Sequence, residues 1–106
     1  MKRTMFRSRL KPECVEEYVR LHREVWPELL DAYRKAGITR VGCYLNGLDL
    51  LVYSERDPEI YEREKDALNK NPVGLRWDKL MATLRDQSFG NHEFEEVFFM
   101  QEQAPH

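Results

Sequence analysis

The sequence lacks any apolar run long enough to cross a membrane. A transmembrane helix takes about 20 predominantly apolar residues, and no stretch of the 106 residues approaches that length. An N-terminal secretory signal is missing too, because Arg7 and Arg9 interrupt the first apolar residues. These absences predict a cytoplasmic protein with no membrane partner.

Cysteine is scarce, since the chain has only Cys14 and Cys43. Their separation matches no metal-binding motif, and cytoplasmic thiols normally stay reduced. The sequence also lacks a cluster of His, Cys and carboxylate residues with the spacing of metal ligands. We therefore expect free thiols and no metal, and we expect Cys43 to be a small hydrophobic residue of the core.

An excess of positive charge is also missing. The chain carries 17 Lys and Arg against 19 Asp and Glu, which gives a formal net charge of −2. The charges are mixed along the sequence and form no basic stripe of the kind that binds nucleic acid. The composition, 42% hydrophobic and 34% charged, is typical of a folded protein. We expect one domain over residues 1–106, with residues 101–106 as a frayed tail.

One stretch of the first predicted helix places a histidine among apolar residues. Tyr18, His22 and Trp26 lie four residues apart and would share one helix face. Aliphatic residues flank them, so this face should point to the interior; they are Val15, Val19, Val25 and Leu29. His22 is then either a hydrogen-bonded core histidine or a partly desolvated group that exchanges protons near neutral pH. Tyr18 could fix a substrate hydroxyl.

Strand and helix patterns alternate along the chain. The strand patterns are at residues 4–10, 38–45, 50–55 and 94–100. The helix patterns are at residues 12–36, from 57 to a break at 69–72, and at 73–85. Asn46-Gly47 predicts a hairpin, and Asp57 is expected to cap its helix. Pro27 should either kink the first helix or begin a second segment.

This order predicts an α+β fold with the split β-α-β sheet of ferredoxin-like proteins. Right-handed crossovers place all helices on one face of the sheet. The strands nevertheless carry apolar residues on both faces, as Val97 and Phe98 illustrate, whereas a sheet with one face in water alternates more cleanly. We therefore expect a homodimer whose two sheets share the uncovered face, which is the dimeric α+β barrel type.

Several stretches together resemble the L-rhamnose mutarotase family over nearly the whole chain. They are Met5-Phe6-Arg7, Glu17-Tyr18 through His22, Trp26-Pro27-Glu28-Leu29, Ala36-Gly37, Tyr44-Leu45, Arg76-Trp77 and Glu95-Glu96-Val97-Phe98. The resemblance implies a dimeric fold of ferredoxin type and an isomerase that interconverts the α and β anomers of L-rhamnose. It also implies that neither cofactor nor metal takes part.

The resemblance assigns roles to individual residues. His22 falls on the catalytic acid of the family, and Tyr18 and Trp77 fall on substrate-binding residues. Trp26 joins them as a candidate substrate contact from the predicted helix face. At two positions that contact the sugar, this chain departs from residues common in the family. Val41 stands in place of a tyrosine, and Asp78 in place of a second tryptophan.

The reaction implied by the resemblance suits these residues. Mutarotation opens a hemiacetal ring, rotates the freed aldehyde and closes the ring again. His22 could deliver a proton to the ring oxygen and recover it on closure. Water, Tyr18 or a carboxylate could handle the other proton. Two alternatives stay open: a mutarotase for another deoxy-sugar such as L-fucose, and a cofactor-free oxygenase or ligand-binding module of the same dimeric α+β type.

Overall fold

The strands and helices follow one another in the predicted order. The computed structural model describes residues 1–101, so the predicted frayed tail lies almost entirely outside the described residues. The strands are β1 (Lys2–Arg9), β2 (Ile38–Asn46), β3 (Asp49–Arg56) and β4 (His92–Phe94). The helices are α1 (Val15–Arg23), α2 (Pro27–Lys35), α3 (Pro58–Lys70) and α4 (Pro72–Leu84), and a 3₁₀ turn (Pro12–Cys14) precedes α1. In the described part of the chain, no helix is long and apolar enough to cross a membrane.

The four strands form one sheet in the order β2-β3-β1-β4, and every neighbouring pair is antiparallel. This order is that of the split β-α-β sheet, so the predicted α+β fold of ferredoxin type is confirmed. Leu10 and Leu50 from the sheet pack with Leu29 of α2 and Met81 of α4 in one hydrophobic cluster. Each of these four side chains is at most 4% exposed, so the core lies between the helices and one face of the sheet.

Proline begins three of the helices. Pro27, Pro58 and Pro72 each occupy the first turn of a helix, where the missing N–H would have no partner anyway. Of the two outcomes predicted at Pro27, the structure has the break, with Pro27 starting α2. Trp26 is extended, with φ −57° and ψ 126°, because a residue before proline is pushed out of the helical region.

Side-chain caps fix the starts of α3 and α4. Asp57 accepts hydrogen bonds from the backbone N–H groups of Glu59 at 3.0 Å and Ile60 at 3.1 Å, which confirms the predicted cap. Asn71 caps α4 in the same way. Both residues satisfy N–H groups that the first turn of a helix leaves without an intrahelical partner.

The predicted hairpin is present, but its turn lies one residue later than expected. Asn46 pairs with Asp49 in the ladder, so the two turn residues are Gly47 and Leu48. Gly47 has φ +61°, and no residue other than glycine has a positive φ in the described chain. This is the pattern of a type II′ turn, which needs glycine only at its first central position.

The last strand is shorter than the alternating pattern of residues 94–100 predicts. Strand β4 spans His92–Phe94, so it begins two residues earlier than predicted and shares only Phe94 with the predicted strand. Residues 95–101 have no regular secondary structure. Arg3 still holds Glu96 through an ion pair of 2.7 Å. The prediction was wrong because alternation supplies side chains for two faces, whereas a strand also needs a neighbour for its backbone hydrogen bonds. Within residues 1–101, this segment finds none beyond Phe94.

Two further side chains are not where the sequence patterns put them. Cys43 lies on β2 as predicted, but it is exposed and does not belong to the core. Val19 is 36% exposed, although its neighbour Tyr18 is 3% exposed. An apolar residue of a strand or helix is not necessarily covered.

Replacing Asp57 with Ala should lower the free energy of unfolding by about 1 kcal/mol, because two N–H groups at the start of α3 lose their acceptor. Urea denaturation measures the change. Asp66→Ala is the matched control, since Asp66 is exposed in the same helix and caps nothing. That control should change the free energy of unfolding by no more than about 0.5 kcal/mol. Equal effects of the two substitutions would contradict a capping role.

Candidate functional site

A cavity of about 1150 Å³ opens between the helices and the β2 side of the sheet. Its wall includes residues from α1, α2, α4 and all three long strands. Of the residues predicted for the site, the cavity brings together Tyr18, His22, Val41, Trp77 and Asp78. The fold therefore joins residues that are up to 60 positions apart in the sequence, Tyr18 and Asp78 being the extremes.

The His22 ring is fixed by a hydrogen bond within its own helix. Its Nδ1 lies 2.7 Å from the backbone carbonyl oxygen of Tyr18, one turn earlier. A carbonyl oxygen only accepts, so Nδ1 carries the hydrogen and donates it. The neutral ring then has its lone pair on Nε2, which hydrogen-bonds to no residue of the described chain. Nε2 is the atom left for chemistry in the cavity.

Burial favours the neutral form of His22. The loss of water around the half-buried ring lowers the pKa of His22 below its ordinary value of about 6.5. The hydrogen bond to the Tyr18 carbonyl opposes this shift, and the positive charge of Arg85 adds to it. The imidazole is therefore mainly neutral at neutral pH, with Nε2 ready to accept a proton.

Aromatic rings hold His22 on both sides. The Tyr18 ring stacks on it with centroids 4.0 Å apart and planes 26° apart. Trp77 meets it edge to face at 5.2 Å and 67°. Trp77 is only 6% exposed, so a small part of its ring is accessible from the cavity and the remainder packs against other residues. These contacts fix the direction of the imidazole more firmly than a single hydrogen bond could.

Trp26 lies elsewhere. Its ring packs edge to face against Trp77 at 5.0 Å, and Trp26 is not part of the cavity wall. The expectation of a direct substrate contact rested on a helix running through residues 18–26. Because α1 ends at Arg23, Trp26 is no longer in phase with His22 and supports Trp77 from behind.

Two tyrosine hydroxyls of the cavity keep their protons. Burial raises the pKa of Tyr18 above its ordinary value, and the neighbouring Cys43 thiol adds to the rise. Burial also raises the pKa of Tyr33 to about 12, with a contribution from the charge of Asp78. Both phenols can therefore donate hydrogen bonds to a ligand but cannot act as bases near neutral pH.

Val41 and Asp78 line the cavity with different chemistry. Val41 is 50% exposed on β2 and offers an apolar surface. Asp78 is exposed on α4. The partial loss of water beside the cavity raises the pKa of its carboxyl, although the charge of Arg85 opposes the rise. Asp78 adds a hydrogen-bond acceptor to the wall.

Arg85 is the main residue of the cavity that sequence reasoning missed. It lies four positions after Met81, which is on the apolar stripe of α4. That spacing was the available signal, because residues four apart share a helix face. Its Nε is buried and has no hydrogen-bond partner in the described chain, and the same holds for the Oγ of Ser8 on β1. Both residues line the cavity, as do Tyr33 and Cys43.

The assembled groups suit proton transfer and hydrogen bonding to a polar ligand. A neutral imidazole offers Nε2, two phenols and a guanidinium offer donors, and a carboxylate accepts. Among residues 1–101, no group of three or more His, Cys, Asp and Glu side chains is placed to hold a metal ion. Chemistry built from these residues would be acid–base chemistry.

Comparison with known proteins gives one family. The sequence matches the L-rhamnose mutarotase family over residues 3–102. The L-rhamnose mutarotase of Burkholderia ambifaria is 33% identical over 104 residues, covering 94% of this chain and 99% of that protein.

Solved structures are similar in fold. An L-rhamnose mutarotase from Formosa agariphila superposes with a TM-score of 0.75 at 20% identity, covering 95% of this chain and 100% of that one. A dimeric ferredoxin-like protein from an uncultured marine organism gives a TM-score of 0.62 at 15% identity, with 96% and 97% covered. At these identities the likeness concerns the fold alone.

His22 should titrate below about 6.5, because burial and the nearby Arg85 disfavour its charged form. Histidine ¹H–¹⁵N NMR spectra recorded against pH measure both the pKa and the tautomer, and His22→Gln assigns the signal. In the neutral state the spectrum should show the hydrogen on Nδ1, since that atom donates to Tyr18. A normal or raised pKa, or a hydrogen on Nε2, would overturn this description of the site.

Proposed function

The chain belongs to the L-rhamnose mutarotase family, and on that premise we propose that it interconverts the α and β anomers of L-rhamnose. The observation that carries the proposal is the neutral His22, whose Nδ1 is engaged at 2.7 Å by Tyr18 and whose Nε2 remains for the substrate. A single acid–base group of this kind matches what ring opening of a hemiacetal needs.

The proposed reaction moves one proton between two oxygens. Nε2 of His22 accepts the proton of the anomeric hydroxyl, and the resulting imidazolium donates a proton to the ring oxygen. The bond between the anomeric carbon and the ring oxygen breaks as the anomeric oxygen becomes a carbonyl. The freed aldehyde then rotates about its bond to the next carbon, and the same steps in reverse close the ring as the other anomer.

One nitrogen can serve both oxygens because both are bonded to the anomeric carbon. His22 thereby donates a proton to the ring oxygen, as the family resemblance implies. The proton that it donates comes from the anomeric hydroxyl of the substrate. The lowered pKa of His22 supports this order, because a mainly neutral ring accepts before it donates. Tyr18 is unsuited as the second base since burial raises the pKa of its hydroxyl. Its role is to donate a hydrogen bond to a sugar oxygen.

The choice of sugar depends on groups that read ring hydroxyls. L-Rhamnose and L-fucose differ in the configuration of those hydroxyls, and a placed polar group discriminates better than an apolar wall does. Asp78 is such a group, whereas Val41 supplies shape only. We expect L-rhamnose to be preferred over L-fucose because of the family membership.

Anomer exchange by NMR tests the function directly. Wild type should accelerate exchange of L-rhamnose above the spontaneous rate, and His22→Gln should lose about 10² to 10⁴-fold of that acceleration. His92→Gln is the matched control, since His92 is exposed and lies outside the cavity wall. The acceleration should also fall as the pH drops through the pKa of His22, because protonation removes the accepting lone pair.

Several outcomes would count against the proposal. Full exchange by His22→Gln would make His22 a structural residue. Acceleration that increases on acidification would mean that the imidazolium is the working form. Exchange of L-fucose without L-rhamnose would change the substrate but keep the mechanism. Oxygen uptake with an added organic substrate, with no sugar exchange, would favour the oxygenase alternative.

We also propose that the protein is a homodimer. Tyr44 and Phe94 lie on the sheet face away from the core, 59% and 46% exposed. Residues 95–101 continue from that sheet, and Val97, Phe98 and Met100 are each at least 82% exposed. Apolar side chains this close together and this exposed are typical of an interaction surface. One of the fold neighbours is described as dimeric, which supports a second copy as the partner.

Light scattering should give the mass of a dimer at micromolar concentration. Phe98→Asp should shift the population toward monomer, because a charge in an apolar interface loses its water. Leu75→Asp is the matched control, since Leu75 is 53% exposed but belongs to α4, away from the uncovered face of the sheet. A stable wild-type monomer, or equal effects of both substitutions, would contradict the proposed interface.

A further inference from the structure

The backbone at Arg85, at the edge of the cavity, is held by hydrogen bonds to the sheet. Arg85 follows the last residue of α4, and its backbone is extended, with φ −92° and ψ 148°. It forms an antiparallel bridge with Leu10. The residues before and after it are tied as well, through Lys11 N–H to the Leu84 carbonyl at 3.0 Å and Asp86 N–H to the Arg9 carbonyl at 2.8 Å. The position of this side chain is therefore set by backbone hydrogen bonds on both sides.

The guanidinium of Arg85 lies near the Tyr18 hydroxyl, whose pKa it acts to lower, but one of its nitrogens has no partner in the described chain. Its Nε is buried without a hydrogen bond to any described residue, and no described carboxylate forms an ion pair with it. The arginines of β1 are paired, Arg3 with Glu96 and both Arg7 and Arg9 with Asp49. A buried charged donor without a partner is costly, and such an atom calls for an explanation in a native structure.

The surroundings of Arg85 are those of the proposed reaction. Its charge acts on Tyr18, His22, Tyr33 and Asp78, all of which line the cavity. The Phe6 ring lies 5.5 Å from its Cζ and supports the cation from the sheet side. The Oγ of Ser8 is a second buried polar atom of this wall without a partner in the described chain.

We propose that Arg85 is a substrate-binding residue that determines specificity, donating hydrogen bonds from its guanidinium to ring oxygens of the sugar. Asp78 on α4, seven positions earlier, accepts from another hydroxyl, so that this helix and the residue after it present an acceptor and a donor to the same ligand. The ligand class is a neutral sugar with adjacent hydroxyls. This inference rests on the proposed function, since it names how the same cavity recognises its sugar.

The proposed hydrogen bonds would compensate for the absence of aromatic side chains at positions 41 and 78. Val41 and Asp78, which the family resemblance places beside the sugar, offer its ring no stacking area. Arginine offers five N–H donors in a fixed fork, and a hydrogen bond to a charged donor is stronger than one between neutral groups. Hydrogen bonds from Arg85 and to Asp78 would replace part of that stacking contact and would read hydroxyl configuration more sharply than a ring does.

Sugar binding by variants tests the proposal independently of turnover. Arg85→Met keeps the approximate length of the side chain and should raise the dissociation constant for L-rhamnose by about tenfold or more. KM should rise more than kcat falls. Arg63→Met is the matched control, because Arg63 is exposed on α3 and far from the cavity wall. Calorimetry with wild type and both variants supplies the constants.

Two further readouts separate binding from a merely structural role. Monodeoxy analogues of L-rhamnose identify the hydroxyl: for the analogue that lacks it, wild type and Arg85→Met should bind equally. The pKa of His22 should rise in Arg85→Met, because a neighbouring positive charge is lost. If Arg85→Met does not fold, Arg85→Lys keeps the charge without the fork and should bind L-rhamnose more weakly than wild type.

The outcomes distinguish this inference from the proposed function. Unchanged binding of L-rhamnose by Arg85→Met, or by Arg85→Lys where the former does not fold, overturns the role of Arg85 even if wild type is an active mutarotase. An equal loss with every analogue would also overturn it, since no hydroxyl would then be read. Wild type that binds L-rhamnose through Arg85 but accelerates no exchange would contradict the proposed function and leave the binding role standing.

Discussion

The hydrogen bond from His22 Nδ1 to the Tyr18 carbonyl, 2.7 Å long, sets the chemistry of this molecule. It places the hydrogen of the neutral ring on one nitrogen and leaves the other for a ligand. The bond lies within α1, so it needs no partner from elsewhere in the chain. Its effect nevertheless depends on the whole fold, because burial lowers the pKa of the ring and so keeps the other nitrogen unprotonated to lower pH.

The break at Pro27 shapes the remainder of the site. In a continuous helix, Trp26 would lie on the same face as His22 and would point toward the cavity. With α1 ending at Arg23 and α2 beginning at Pro27, the chain changes direction, Trp26 packs behind Trp77, and α2 brings Tyr33 to the wall. One residue without an N–H thus places Trp26 against another aromatic ring and outside the cavity wall.

Local signals predicted most of the fold because they act over a few residues. Prolines at helix starts, the Asp57 cap and the glycine of the hairpin each satisfy or deny a backbone group nearby. The predictions were wrong where the structure of a segment depends on residues distant in the sequence. Residues 95–101 alternate like a strand but have no backbone partner along the described chain. Cys43 is apolar enough for a core but is exposed in the cavity wall.

By itself, the sequence determined the order of strands and helices, the family, and the histidine on which the proposed chemistry depends. The order of strands and helices follows from spacing and from local backbone constraints, which a single segment expresses alone. The family and the role of the histidine come from the resemblance to known proteins. Only the tertiary structure decided which residues surround that histidine. It brought Arg85 and Ser8 into the cavity wall, each with one buried polar atom that has no hydrogen-bond partner in the described chain, and it placed Trp26 outside that wall. The physical reason is that desolvation and unpaired charge are properties of a packed neighbourhood, and no segment carries them before the helices meet the sheet.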